Sequence, residues 1–210
     1  MYNELFWHFS GTIDETKRKY IIKNMDTSQG EKATIMTPDG PKADESRRNV
    51  KVSVLHQDNE LSVDTAHMVS VANNRANWKY KIDFQEPFQY LTYDAGGHYV
   101  PHVDGNLDQA YEWDDEGKNM SVSRLDDAYK LGKIRKISTV HLLNDDFKGG
   151  EFVMYRLNIR DGRVIAEELN VPLKAGDCLV FPSCVMHTVK PVTEGKRYSV
   201  VSWFGGERIG

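Results

Sequence analysis

The spacing of apolar positions changes character partway along the chain. Before residue 78 they recur mainly at helical spacing, and from Trp78 onward they alternate or gather in short runs. Thr12 followed by Glu15 has the pattern of a capping box, and DETKRKYIIKNM runs on from it as a helix. Ile13, Lys17, Tyr20, Ile21 and Met25 fall on or near one face of that helix. The next stretch, DTSQGEKATIMTPDGPKADESRRN, carries two glycines, two prolines and many charges. It reads as a long mobile loop, about residues 28–48, crossed by one short strand at most. VKVSVL then alternates as a strand. In NELSVDTAHMVSVANNRANW, Leu61, Thr65, Met68, Ala72 and Ala76 lie at helical spacing and predict a second helix.

From Trp78 the runs YKIDF, FQYLTY, HYVPHV, KISTVHLL, GEFVMY, CLVFP, HTVKPV and YSVVSWF follow one another. Several are separated by turn residues such as Gly96–Gly97 and Lys148–Gly149–Gly150. Many short strands with regular turns predict a sandwich, jelly roll or barrel, with helices flanking it. One mixed, initially acidic stretch at 105–132 interrupts the series. A chain of 210 residues with 40% hydrophobic content supports one well-cored domain. The expected layout is a helical and lid-like part over about 1–77 and a β core over about 78–206.

Charge and cysteine content narrow the partners. The net charge is −4, and no basic stripe of the kind that duplex binders carry is present, so nucleic acid is not an expected partner. Two cysteines, Cys178 and Cys184, are too few for a disulfide framework and read as free thiols of a reducing compartment. The N-terminus lacks the basic and apolar regions of a signal peptide, and no run approaches a membrane span. The expectation is a soluble cytoplasmic protein; nothing in the sequence indicates its oligomeric state.

The candidate chemistry lies in YDAGGHYVPHVDG, residues 93–105. His102 and Asp104 form an H-x-D triplet, a weak signal that His56 to Asp58 also matches. His56 runs into a polar turn, whereas His102 follows an alternating strand, where residues two apart share a face. His102 and Asp104 therefore aim together, and Gly96–Gly97 would turn their strand back against FQYLTY. A third ligand has two candidates, His141 and His187. His141 sits in an apolar run and reads as a hydrogen-bonded core residue. His187 follows a Pro-Ser turn and is expected at a cavity edge instead of deep in a sheet. Two histidines and a carboxylate on one face suit an iron with open positions. Spacing alone also allows a polar strand end with an unrelated histidine. Arg197 enters the apolar final strand, where burial is costly unless an anion pairs with it.

Taken in order, these motifs resemble one family. Tyr93, Gly96, Tyr99, His102 and Asp104 match Y-x-x-G-x-x-Y-x-x-H-x-D, and LNDDFKGGEFVMY and AGDCLVFPSCVMHTVKPVTEGKRYSVVSWF follow in sequence. The pattern is similar to that of the Fe(II)- and 2-oxoglutarate-dependent oxygenases, in the branch of the prolyl 4-hydroxylase catalytic domains, over about residues 78–204. The resemblance implies a double-stranded β-helix, a cupin-like jelly roll with the metal at its open end. It implies His102, Asp104 and His187 as iron ligands and Arg197 as the partner of the distal carboxylate of 2-oxoglutarate. Tyr93 and Thr139 would line the cosubstrate pocket, and Trp203 matches a tryptophan of the last strand near the site. As core aromatics, Tyr93 and Trp203 would need no such role.

The implied cofactors are Fe(II), 2-oxoglutarate and O2, with ascorbate as a further one. The implied reaction is hydroxylation of an aliphatic carbon with release of succinate and CO2, on prolyl residues of a peptide or protein as in a procollagen-proline dioxygenase. Segments 28–48 and 105–132, the latter with Tyr111 and Trp113, could cover such a substrate or be plain surface loops. Two other classes stay open: a hydroxylase of a small molecule or free amino acid, and a non-catalytic cupin-like binding module. A nucleic-acid demethylase would show a second arginine shortly after Arg197, where this chain reads YSVVSWF.

Overall fold

The structure, a computed structural model, describes residues 4–28, 30–37, 40–53, 55, 57–105 and 132–208. In chain order the elements begin with β1 (Trp7–Phe9), α1 (Glu15–Thr27), β2 (Glu31–Lys32), β3 (Ile35–Thr37), β4 (Gly40–Lys42), β5 (Arg48–Asn49) and β6 (Lys51–Ser53). Next come α2 (Asn59–Arg75), β7 (Phe84–Gln85), β8 (Gln89–Tyr93), β9 (His98–His102), β10 (Lys133–Leu142) and β11 (Lys148–Gly149). The chain closes with β12 (Phe152–Arg160), β13 (Arg163–Val171), β14 (Cys178–Pro182), β15 (His187–Val189), β16 (Val192–Glu194) and β17 (Arg197–Glu207).

Two sheets make the body. The larger runs β1-β14-β10-β17-β8-β6-β2, with β7 also on β17, and the smaller runs β13-β12-β15-β9-β5. Their inner faces enclose one apolar cluster that includes Leu91, Phe152, Met154, Phe181, Val189 and Trp203. The outer face of the large sheet is covered by the helices. Ile21 and Met25 of α1 and Leu61 of α2 meet Phe88, Tyr90 and Val200, while Met68, Val69 and Ala72 of α2 meet Ile137, Val180 and Phe204. Each such side chain taken out of water stabilises the fold by about 1.5–3 kcal/mol. This is the expected mainly β fold with flanking helices, a jelly roll of the double-stranded β-helix type.

Four expectations about the fold are corrected. The N-cap of α1 is Asp14, whose carboxylate accepts from the Lys17 amide at 2.9 Å, while the Thr12 hydroxyl donates to the Gly176 carbonyl at 3.0 Å. Tyr20 is 68% exposed and faces away from the core that Ile21 and Met25 enter. Segment 28–48 is not a loop with a single strand: β2, the hairpin β3–β4 and the start of β5 all lie in it. The part before residue 78 therefore closes both sheets, β1 and β2 on the large one and β5 on the small one, where bare edges would invite pairing with other chains. Finally, β8 and β9 do not pair with each other. β8 lies between β17 and β6, and β9 lies between β15 and β5, so the Gly96–Gly97 turn crosses from one sheet to the other. Gly96 makes this crossing at φ 84, its amide donating to the Val192 carbonyl at 2.7 Å. The expected insert falls almost wholly on residues 106–131, outside the described residues.

Candidate metal and cosubstrate site

Antiparallel register places His102 of β9 directly opposite His187 of β15, so their rings leave the sheet side by side, with centroids 4.3 Å apart. Asp104 follows two residues after His102. Its carboxylate oxygens lie 3.6 Å from Nε2 of each ring, and the ligand atoms of the three residues all fall within 4.8 Å of one another. Each Nδ1 is occupied by a backbone carbonyl, that of Val100 at 2.8 Å from His102 and that of Val185 at 2.9 Å from His187. Those carbonyls accept the Nδ1 proton, which leaves both Nε2 lone pairs turned toward Asp104.

Burial pushes the His187 imidazole down to about 4, against the pull of the Asp104 carboxylate. Burial would raise the Asp104 carboxyl, but the two histidines and Arg135 hold it well below the usual carboxylate range. Two imidazoles and one carboxylate at this spacing fit a divalent iron. Among the described residues no other group of histidine, cysteine and acidic side chains is so arranged. His187 is only 4% exposed and pairs within the sheet between Met154 and His102, so it lies inside the sheet and still faces the cavity.

Neighbouring contacts hold the trio in place. The amides of Asp104 and Gly105 both donate to the Ser183 carbonyl, at 3.0 and 3.2 Å. A Cβ on Gly105 would come within 2.9 Å of the Arg135 backbone oxygen, so this close approach requires glycine. Tyr99 stacks on His102 with ring centroids 3.4 Å apart, and Phe152 and Phe181 pack against His187.

All seven residues singled out in the sequence line the cleft beside the trio: His102, Asp104, His187, Arg197, Tyr93, Thr139 and Trp203. Arg197 is 1% exposed. Its Nε donates to the Gly150 carbonyl at 3.1 Å and its Nη1 to the Ser199 hydroxyl at 3.0 Å, and its guanidinium lies 5.3 Å from the Tyr93 ring. Among the described residues no carboxylate lies within ion-pair distance of it. Burial lowers its pKa, opposed by Tyr93. Burial likewise raises that of Tyr93, so its hydroxyl stays protonated. The Thr139 hydroxyl donates to the Ser202 carbonyl at 3.1 Å and keeps its lone pairs for an incoming donor.

Arg135 and its partner Glu86 escaped the sequence reading. Arg135 lies 3.9 Å above the Trp203 ring and makes a two-pronged pair with Glu86 at 2.6 and 2.7 Å. Its only signal was a charge near the start of an apolar strand. Arg48, at the exit of segment 28–48, also lines the cleft. Other histidines stay apart from the site. His141 is wholly buried in contact with the Thr65 hydroxyl at 3.0 Å and the Cys178 sulfur at 3.7 Å, a core residue as expected. His98 is the first residue of β9, and His56 lies outside the described residues.

Comparison with known proteins agrees with this geometry. Residues 88–205, more than half of the chain, match the model of the 2OG-Fe(II) oxygenase superfamily. The chain belongs to this family. It is 33% identical over 117 residues to a PKHD-type hydroxylase of Hyphomonas neptunium, covering 55% of this chain and 41% of that protein. A PKHD-type hydroxylase of Maricaulis maris is 37% identical over 81 residues, 38% of this chain and 33% of the other. The chain thus spans less than half the length of these relatives. In fold it is similar to a Pseudomonas putida prolyl-4-hydroxylase, with a TM-score of 0.63 at 18% identity over 98% of this chain and 94% of the other. It is also similar to a Trichoplax adhaerens prolyl hydroxylase solved with a hypoxia inducible factor peptide. There the TM-score is 0.65 at 17% identity, over 95% of this chain and 83% of the other. Among the described residues no helix is long and apolar enough to cross a membrane.

Proposed function

We propose that this chain carries an oxygenase activity that hydroxylates an aliphatic carbon, that of a prolyl residue in a peptide or protein. The observation that carries the reading is a pair of imidazoles and a carboxylate converging within 4.8 Å, in one cleft with a buried arginine that has no carboxylate near it among the described residues. His102, Asp104 and His187 are assigned the iron. Arg197 is assigned the distal carboxylate of 2-oxoglutarate, which a planar guanidinium can hold through two parallel hydrogen bonds. Tyr93 offers its hydroxyl to the same carboxylate, Thr139 lines the pocket beside it, and Trp203 forms a wall of the cleft.

Bound iron, with 2-oxoglutarate and O2, supplies the oxidising power: one oxygen atom enters a C–H bond and the other leaves in succinate, with loss of CO2. The protein's part is placement. The Val100 and Val185 carbonyls fix which nitrogen of each histidine faces the metal, and the aromatic packing around His102 and His187 keeps bulk water from that side. No general acid or base is needed for this chemistry. The reading of a proline substrate is supported by the PKHD-type relatives and the shared fold with prolyl hydroxylases. Ascorbate is assigned no residue.

The test is mass spectrometry of proline-containing peptides and of a cell extract after incubation with the protein, Fe(II) and 2-oxoglutarate. A gain of one oxygen on proline, with succinate formed and both lost in His102→Ala, is the expected result. Oxygen gained only by free amino acids or nucleobases would overturn the substrate assignment, and absence of succinate with every substrate would overturn the activity.

A further inference from the structure

The strands that carry the metal-site histidines, β9 and β15, sit in the interior of the small sheet, and both flanks of that sheet carry arginine. On one edge, Arg48 of β5 is paired in register with Tyr99, and its guanidinium lies 4.9 Å from that ring. It lines the same cleft as His102 and Asp104. Its Nη1 donates to the Thr34 carbonyl at 3.0 Å, but its Nε is buried with no hydrogen-bond partner. A buried N–H left unpaired costs stability that its neighbours do not return, and a ligand acceptor in the cleft would satisfy it.

The other flank is the β12–β13 hairpin. Met154 pairs with His187, so the strand leaves the level of the metal site there and runs six residues further to Arg160, about 20 Å beyond it. By alternation Arg156, Asn158 and Arg160 share the face of Met154 and His187. Arg163 pairs directly with Arg160 across a two-residue turn at Asp161 and Gly162, both at positive φ (51 and 71). Like charges placed opposite each other repel, and an anion between them relieves that repulsion. Two acidic groups lie on this part of the hairpin, Asp161 in the turn and Glu167 opposite Arg156. Glu167 accepts instead from the Asn158 amide at 2.6 Å. Among the described residues no carboxylate lies within ion-pair distance of Arg48, Arg156, Arg160 or Arg163.

We propose that the mouth of the site receives a polypeptide bearing carboxylates on its side chains, with Arg48 taking one close to the metal and the hairpin arginines taking others further along the chain. This rests on the oxygenase reading and adds the charge of the substrate to it.

The test uses two short fluorescein-labelled peptides with the same central prolines, one flanked by aspartate and glutamate and the other by asparagine and glutamine. Binding is followed by fluorescence anisotropy on the full chain without metal, so it does not depend on turnover. The acidic peptide is expected to bind at least about tenfold more tightly, an advantage that shrinks as salt is added. Arg48→Gln and the double variant Arg160→Gln/Arg163→Gln should each remove most of it, while Mn(II) binding stays unchanged. Equal binding of the two peptides, or retention of the preference in both variants, would overturn the proposal. So would a single-stranded oligonucleotide binding as tightly as the acidic peptide, which would assign the mouth to nucleic acid. Parallel succinate assays separate the two readings. Tight acidic-peptide binding without succinate defeats the hydroxylase and leaves the anionic partner, and equal hydroxylation of both peptides does the reverse.

Discussion

Replacing Arg197 by methionine separates a residue kept for a ligand from one kept for the fold. The guanidinium is 1% exposed and bound by one carbonyl and one hydroxyl, with no carboxylate in reach. An ion without a counter-charge at such depth costs several kcal/mol, of which two hydrogen bonds to a charged group return about 1.5–3 kcal/mol each. Methionine keeps much of the volume, discards the charge and leaves the Gly150 carbonyl without this donor, a loss of about 1–3 kcal/mol. These terms nearly cancel, so the metal-free variant should unfold in urea within about 1 kcal/mol of the parent protein. Cosubstrate binding has no such compensation. Losing a two-pronged contact of about 3–6 kcal/mol weakens 2-oxoglutarate on the order of 10²- to 10⁴-fold. Calorimetric titration of 2-oxoglutarate into the Mn(II)-loaded protein measures this directly. An unchanged affinity would refute the assignment. So would a fall of more than about 3 kcal/mol in metal-free stability, because the arginine would then be structural.

The buried His141 has its pKa lowered to about 4 by burial, with Lys17 adding to the shift. The neutral form is therefore favoured in the folded state, and stability is complete above the ordinary histidine value near 6.5 and lost as pH falls from there to about 4. The His141 share of that loss should reach about 3 kcal/mol in urea melts, and His141→Gln should reduce the pH dependence by that amount. Mn(II) at one hundred times its dissociation constant should stabilise the protein by about 2.7 kcal/mol, an effect reversed by chelator and absent in Asp104→Ala. Gly105→Ala forces a Cβ to within 2.9 Å of Arg135 and should cost about 1–3 kcal/mol of stability while weakening Mn(II), because the adjacent Asp104 must shift. Unaltered Mn(II) affinity in that variant would show that the ligand position does not depend on this approach.

The difference between what the chain reveals and what only the fold reveals follows from what periodicity encodes. Alternation states which residues share a face of a strand, and for His102 and Asp104 that was enough to aim them together. It does not state which strand lies alongside, so Gly96–Gly97 looked like the turn of a hairpin although β8 and β9 belong to different sheets. Tyr99 and His102 show the same limit within one strand. Three residues apart, they should face opposite ways, yet a bulge in the pairing with β15 brings both rings into one stack. Helix starts are ambiguous for a related reason. Thr12 and Asp14 both offer a capping oxygen, and the choice fell to Asp14 because the Thr12 hydroxyl is taken by Gly176 from a distant turn. Arg135 was hidden because the partners that define its position, Glu86 and Trp203, come from separate parts of the chain. Arg197 was legible without any partner, because a charge at the start of an apolar, buried strand calls for an anion wherever the strand packs. Signals of that kind depend on the solvation of a single group, whereas those that failed depended on the pairing of two strands. A site whose residues are individually costly to bury is thus more readable from sequence than the sheet that carries it.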